Sequence, residues 1–347
     1  VSLDVVLADD GIAFDGASFR EGPLGGAESA VVGLAEGLAA RGHQVRVYTR
    51  ASAPVTVADV AWRPFADGLP ARADLYIANR SWRLIDQVPG AASRVFWIHN
   101  PAGYLLKWRY LARLWRRRPV IVFSGPYHRQ TYPGWAPGGP RVVVPYGVTD
   151  LFRPVPREPP PPRAIFASNP MRGLDRLIEL WVRSIRPRVP DAELHIYAGT
   201  AVYGGGGRHG ATMTAILERA RAAPGVMIAA PVDKPALAAV YGTMRVMLYG
   251  GDVGETFCLA VAEAQATGLP CVVRPVGSVG ERVLDGATGF VVADDAGFAD
   301  RAVDLLRDDG LWRRVHAGAV RRGAESRWSD AAAAFERLAR GDLPCAA

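Results

Sequence analysis

Cysteine is scarce, with three in 347 residues. Cys258, Cys271 and Cys345 are odd in number and form no C-x-x-C pair. That pattern excludes a disulfide framework and a cysteine zinc site, and points to reduced thiols in a cytoplasmic protein. No apolar run is long enough to cross a bilayer, and no charged-then-apolar start leads to a cleavage site. The phosphate loop G-x-x-x-x-G-K-[ST] is missing, as is a G-x-G-x-x-G after the first strand. H-E-x-x-H and G-x-S-x-G are absent too, which removes the common zinc-protease and serine-hydrolase signatures. No D-x-D occurs, so a divalent metal held by that pair is not expected. Anionic charge falls short of cationic, 34 Asp and Glu against 41 Lys and Arg. The basic excess is moderate and mostly arginine. It suits an anionic ligand or an anionic membrane surface. No recognition motif for nucleic acid accompanies it, so none is expected as a partner.

What is present is a rhythm of short apolar strands and longer helices. "LDVVLAD" reads as a strand, "GGAESAVVGLAEGLAARGH" as an amphipathic helix closed by Gly42, and "QVRVYT" as the next strand. "ADLYIAN", "SRVFWIH", "PVIVFSG" and "RVVVPYG" follow as buried strands. The second half repeats the pattern from "RAIFAS" through "GLDRLIELWVRSI", "AELHIYAG", "VMIAAPV", "RVMLYG", "PCVVRPV" and "GFVVAD". Such alternation implies parallel sheets with helices on both faces. The proline-rich stretch at 154–163 cannot be helix or central strand and reads as a linker. The expected organisation is therefore α/β, with two doubly wound domains facing a cleft. Their expected bounds are 1–153 and 164–325, followed by a C-terminal segment, 326–347. Ligands of such sheets bind beyond the carboxyl ends of the strands.

Several strand-end signals stand where a ligand would lie. In "PLGGAES" two glycines, Gly25 and Gly26, precede a helix whose N-terminus favours an anion; a tight turn with Glu28 in the first helical turn is the alternative. His99 closes the strand before "HNP", as a site residue or a structural histidine. Arg172 in "SNPMRG" could fork onto a phosphate or be a solvated surface arginine. The most informative stretch is "GDVGETFCLAVAEAQATGLPCVV", residues 251–273. Residues 257–266 read as one buried helix, stopped at Gly268. Glu263 lies in the middle of it, although a buried ionised Glu needs a partner. No Lys or Arg stands at helical spacing to provide one. Glu255 precedes it by eight positions, a helical rise of about 12 Å, long enough for a nucleotide-diphosphate sugar to lie along. A carboxylate with two acceptor oxygens suits a ribose diol.

The block "GETFCLAVAEAQATGLPCVV" resembles the E-x7-E signature of family-4 retaining glycosyltransferases of the GT-B fold. "GSVGERVLDGATGFVV", the opening "LGGAESAVVGLAEGLAARGHQVRVYT", the connector "VVVPYGVTDLFRP" and the final "RWSDAAAAFERL" are similar to further blocks of that family. They occur in its order and cover nearly the whole chain. The resemblance implies two Rossmann-like domains, the first on the acceptor side and the second binding the nucleotide sugar, with the last helix crossing back to the first. It places Glu263 on the ribose hydroxyls and Glu255 on the donor sugar. Gly25 and Gly26 would face the diphosphate, together with N–H groups near Thr256, Phe257 and Cys258. His99 would stand by the reacting carbon, and residues 228–232 would frame the base.

The family's paired Arg and Lys on the phosphates are not both present. Arg172 takes the lysine position, with Ser168 or Asn169 where the arginine stands. Either one cation is missing, or Arg80, Lys234 or Arg274 replaces it. The implied reaction is a metal-independent, retaining transfer from a UDP- or GDP-sugar, with no cofactor, to a glycan, lipid-linked or small-molecule acceptor. Cations and helix N–H groups would stabilise the leaving diphosphate. A GT-B epimerase or phosphorylase and a non-catalytic sugar-nucleotide-binding protein remain alternatives. Last, "YLLKWRYLARLWRRRP" at 104–119 spaces Leu105, Trp108, Ala112 and Trp115 as one apolar helix face among six cations. Either those tryptophans enter the core, or the helix lies in an anionic membrane interface.

Overall fold

The computed structural model describes residues 1–199 and 209–342. The chain forms two compact units. One comprises Val1–Glu21, Gly26–Thr149 and Ser326–Ala347, the other Gly22–Gly25 and Asp150–Glu325. Cys345 lies outside the described residues, while Cys258 and Cys271 are buried free thiols.

The first unit holds an eight-stranded sheet. Its strands are β1 (Asp4–Ala8), β2 (Gln44–Thr49), β3 (Val55–Val57), β4 (Val60–Pro64), β5 (Arg72–Asn79), β6 (Gly90–Trp97), β7 (Val120–Phe123) and β8 (Arg141–Val143). The order is β3-β4-β2-β1-β5-β6-β7-β8, parallel except for the β3–β4 pair. The central strands are apolar runs rather than alternating ones, because helices cover both faces. The β3–β4 hairpin is absent from the sequence reading. Its turn sets Ala58 and Asp59 at φ 49° and 60°, a left-handed pair that Asn-Gly would announce but Ala-Asp does not.

The second unit holds six parallel strands: β9 (Arg163–Phe166), β10 (Glu193–Tyr197), β11 (Val226–Ala229), β12 (Val246–Tyr249), β13 (Cys271–Val273) and β14 (Gly289–Val291). Their order, β11-β10-β9-β12-β13-β14, reverses direction between β9 and β12. In the first unit the reversal falls between β1 and β5. At such switch points the loops diverge to opposite faces and leave a crevice for a ligand. The stretch read as one helix over 173–185 is an α-helix, Leu174–Leu180, followed by a π-helical turn, Trp181–Ile185. Residues 154–162 carry no helix or strand.

The helix Gly26–Ala40 is buried along most of its length. Part of its cover is the helix Trp328–Ala339, which belongs to the same unit. Gly33 makes the approach close: a Cβ there would stand 2.2 Å from Trp328 Cε2. Parallel pairing of Val148 with Arg327 ties the incoming chain down beside it. Gly33→Ala is therefore expected to destabilise the first unit by ~1–3 kcal/mol through overpacking. Gly103→Ala, where nothing lies within 4 Å of the added carbon, is the control. Urea denaturation compares them, and equal midpoints would refute the contact.

Candidate functional site

In the second unit the switch point gathers Ser168, past β9, with Tyr249, at the end of β12. Their hydroxyl oxygens lie 3.1 Å apart. The Tyr249 hydroxyl also donates to Glu255 Oε1. Burial, with Cys258 and Glu255 nearby, holds the Tyr249 pKa well above its usual value, so the phenol remains a donor. Glu255 is itself mostly buried. Loss of water raises its pKa, against which Arg172 and the Tyr249 hydroxyl pull down. Arg172 places Nε 3.6 Å from Glu255 and Nη1 3.1 Å from Asp252. Its side chain stays 29% exposed, so one buried carboxylate is tied to a half-open cation.

Glycines allow these loops to meet. Gly277, at φ 60°, leaves room for the carbonyls of Asp252 and Glu255, each of which would stand 2.8 Å from a Cβ there. The Asn169 side chain accepts from the Met171 N–H at 2.9 Å and so shapes the turn that presents Arg172.

The helix expected over 257–266 spans only Leu259–Ala266. Cys258 caps it in the left-handed region, φ 64° and ψ 69°, a conformation with a steric penalty for any residue but glycine. Residues 255–258 are thus not helical, and the straight 12 Å rise from Glu255 to Glu263 does not hold. At the start of this helix the Val261 N–H meets the Cys258 thiol and the Ala262 N–H bonds the Cys258 carbonyl at 3.2 Å. Phe257 is buried, with the Arg282 guanidinium 4.4 Å from its ring centre, and Thr256 is buried beside it. Burial, then the Glu255 charge, pushes the Cys258 thiol well above its usual pKa and keeps it unreactive.

Glu263 does have a counter-charge. Lys234, one of the chain's two lysines, begins the helix Lys234–Thr243 and puts Nζ 2.6 Å from Glu263 Oε1. Sequence spacing could not show this, because the partner stands 29 residues away on another helix. Desolvation raises the Glu263 pKa and Lys234 opposes it. The other two candidate cations are also paired: Arg274 with Asp295, and Arg80 with Asp9 and Glu28. Of the four arginines and lysines considered, Arg172 and Arg80 are the more exposed, at 29% and 23%. Residues 228–232 lie at the end of β11 and just beyond it.

The first unit carries a second cluster, at the ends of β1, β5 and β6. Asn79 Nδ2 donates to Asp9 Oδ2 at 2.5 Å, and its Oδ1 lies 2.6 Å from His99 Nε2. The amide orientation follows from Asp9, so His99 carries its proton on Nε2 and accepts from the Tyr146 hydroxyl on Nδ1. Arg80 closes the chain with 2.8 Å and 2.7 Å bonds to Asp9 and Glu28. Burial, then Arg80 and His128, depresses the His99 pKa well below the usual histidine value. His99 is therefore neutral, with both ring nitrogens engaged. Asp9, Asn79, Arg80 and Tyr249 were not singled out in the sequence as a cluster. Only the strand-end position could have marked them. Gly26 starts the helix Gly26–Ala40 and has open space where a side chain would point; Gly25 precedes it in an irregular segment. Among the described residues no group of His, Cys, Asp and Glu could hold a metal ion.

Residues 24–144 match the family Glycosyltransferase Family 4, and residues 162–308 match Glycosyl transferases group 1. A D-inositol 3-phosphate glycosyltransferase of Xylanimonas cellulosilytica is 38% identical over 112 residues, 32% of this chain and 27% of that one. The chain thus matches about a quarter of that relative's length. The fold is similar to sucrose-phosphate synthase from Thermosynechococcus elongatus, with TM-score 0.76 and 18% identity, over 97% of this chain and 98% of that one. It is also similar to the Anabaena protein HepE, solved in complex with UDP-glucose, with TM-score 0.73 and 12% identity, over 98% and 100%.

One pH effect follows from the buried rings. His128 accepts from the Ser124 N–H at 3.1 Å and bonds the Asn100 carbonyl at 2.9 Å; burial lowers its pKa from 6.5 to about 4. Between those values the unfolded chain binds a proton that the folded chain refuses. Stability therefore falls as pH drops from 6.5 to 4, by up to ~3 kcal/mol from this ring. Urea unfolding at pH 7 and pH 4.5 should show the loss, and His128→Gln should reduce it. An identical pH slope in the variant would count against His128 as the source.

Proposed function

We propose a glycosyl transfer for this chain, which belongs to the glycosyltransferases of group 1 and family 4. The donor would be a nucleotide-diphosphate sugar, with UDP favoured over GDP because the structurally similar HepE is solved with UDP-glucose. The acceptor would be a hydroxyl-bearing glycan, lipid-linked or small molecule; the inositol phosphate named for the Xylanimonas relative supports the last. The observation that carries the reading is the Arg172–Glu255–Tyr249 cluster at the second unit's switch point.

Leaving-group departure puts growing negative charge on a diphosphate. Arg172 can meet it with a guanidinium that Asp252 and Glu255 hold in place, and the amides at the start of Leu259–Ala266 add their dipoles. This arrangement supplies without a metal the charge stabilisation that the reaction needs, so activity should persist in EDTA. Glu255, oriented by the Tyr249 hydroxyl, would accept hydrogen bonds from donor-sugar hydroxyls. Glu263 would take the ribose diol while Lys234 offsets its charge. Gly25 and Gly26 would let the diphosphate approach the backbone. His99, neutral and fixed at both nitrogens, would act as a positioned polar ring rather than as an acid or base. Retention of anomeric configuration belongs to the proposal and is read from the product by NMR.

Two substitutions test the roles. Arg172→Ala should lower kcat by roughly 10²–10³, the range for losing one oxyanion-type donor, with less effect on KM. A change confined to KM would assign Arg172 to binding alone. Glu263→Gln should weaken UDP binding by ~1.5–3 kcal/mol, the range for a charged hydrogen bond. Unchanged UDP affinity in calorimetry would remove the ribose assignment. The function itself is tested by incubating the protein with UDP-sugars and acceptor panels. A new glycoside formed only with acceptor supports transfer. An epimerised donor, a sugar phosphate, or tight UDP binding without turnover would replace it with one of the alternatives.

A further inference from the structure

The segment 104–119 folds otherwise than its apolar spacing implies. Leu105 belongs to a 3-10 turn, Ala102–Leu106, and is buried there. The helix proper is Trp108–Arg117, and the residues it buries are Tyr110 and Leu114. Trp108, Ala112 and Trp115, spaced four and three residues apart, share the opposite face. The two tryptophans are 80% and 74% exposed. The core therefore does not take them, and the ordinary reading of this helix fails. A third exposed tryptophan, Trp135, stands in the loop before β8, whose Gly139 N–H bonds the Pro119 carbonyl just past the helix. The chain's other tryptophans are buried or partly buried.

Charge is distributed around that outward face. The segment contains no acidic residue. Asp86 binds Arg113, Arg116 and Arg117 at 3.1, 2.8 and 2.6 Å, one carboxylate for three cations. Arg113 also stacks on Trp82 at 4.3 Å. These contacts anchor the inner side of the helix. Lys107, Arg109 and Arg118 are exposed as well. On helical geometry Arg109 and Arg116 flank one side of the tryptophan face and Arg118 the other.

We infer that Trp108, Ala112 and Trp115, flanked by Arg109, Arg116 and Arg118, form a docking face for an anionic lipid bilayer. Indole rings settle at the headgroup boundary, where one edge is apolar and the N–H stays wet. Arginines beside them reach the lipid phosphates. A second copy of this chain is a poor occupant, because a two-fold contact would press one basic helix against the same basic helix. This inference does not depend on the proposed activity. If both hold, a lipid-linked acceptor becomes the expected class.

The test is flotation of the full chain with vesicles of phosphatidylcholine alone and with phosphatidylglycerol added, with tryptophan emission read in parallel. Binding to the anionic vesicles, a blue-shifted emission and release by 0.5 M salt are expected. Trp108→Ser with Trp115→Ser should lower the partition constant at least tenfold, as should Arg109→Glu with Arg118→Glu. Trp108, Trp115, Arg109 and Arg118 are all exposed, so circular dichroism melts should match the parent. Equal partitioning to both vesicle types, no partitioning to either, or variants that bind like the parent would overturn the proposal. Concentration-dependent dimerisation abolished by the tryptophan changes would overturn it too, in favour of self-association.

Discussion

A carboxylate taken out of water must be given a cation, and this requirement shapes both units. Glu255 has Arg172, Glu263 has Lys234, and Asp9 has Arg80. Each pair joins residues far apart in the chain: Glu255–Arg172 and Asp9–Arg80 tie loops that leave neighbouring strands, and Glu263–Lys234 ties two helices. Such pairs add little net stability, since desolvation offsets most of the attraction. Breaking one is costly, because the survivor is left charged and dry. They hold geometry instead. Arg172 is held between Glu255 and Asp252 at the second unit's switch point.

Much of this was legible. Apolar strands alternating with helices gave the two parallel sheets, and the ordered motif blocks gave the family. Glu263 stood out because a charge surrounded by alanines needs an explanation. Its partner could not be read, because Lys234 starts a different helix and only packing brings the two together. The left-handed Cys258 was equally hidden: nothing in "TFCLAV" distinguishes a cap from a first helical turn. The β3–β4 hairpin lacked a turn signal, since Ala58 and Asp59 carry φ values usually reserved for glycine or asparagine.

The basic helix teaches the reverse lesson. Its periodicity was correctly apolar at Trp108, Ala112 and Trp115, but periodicity does not say which way a face turns. Tyr110 and Leu114, only two residues, decided the matter by reaching the core first. Polar clusters at strand ends were hidden for another reason. Asp9, Asn79 and His99 are distant in sequence and become neighbours only because β1, β5 and β6 are adjacent in the sheet. Strand order, unlike strand existence, is not written locally.

The first unit is also discontinuous. Trp328–Ala339 packs on Gly26–Ala40, yet the ribosome makes the two segments far apart in time. At ~5–20 residues per second, synthesis of the intervening chain takes on the order of ten seconds or more. Throughout that interval the groove beside Gly33 has no Trp328 to fill it. The emerging amino-terminal half is therefore an unfinished body with an open apolar seam. The helix Trp328–Ala339 can close that seam only after the whole of Asp150–Glu325, a separate unit, has been made.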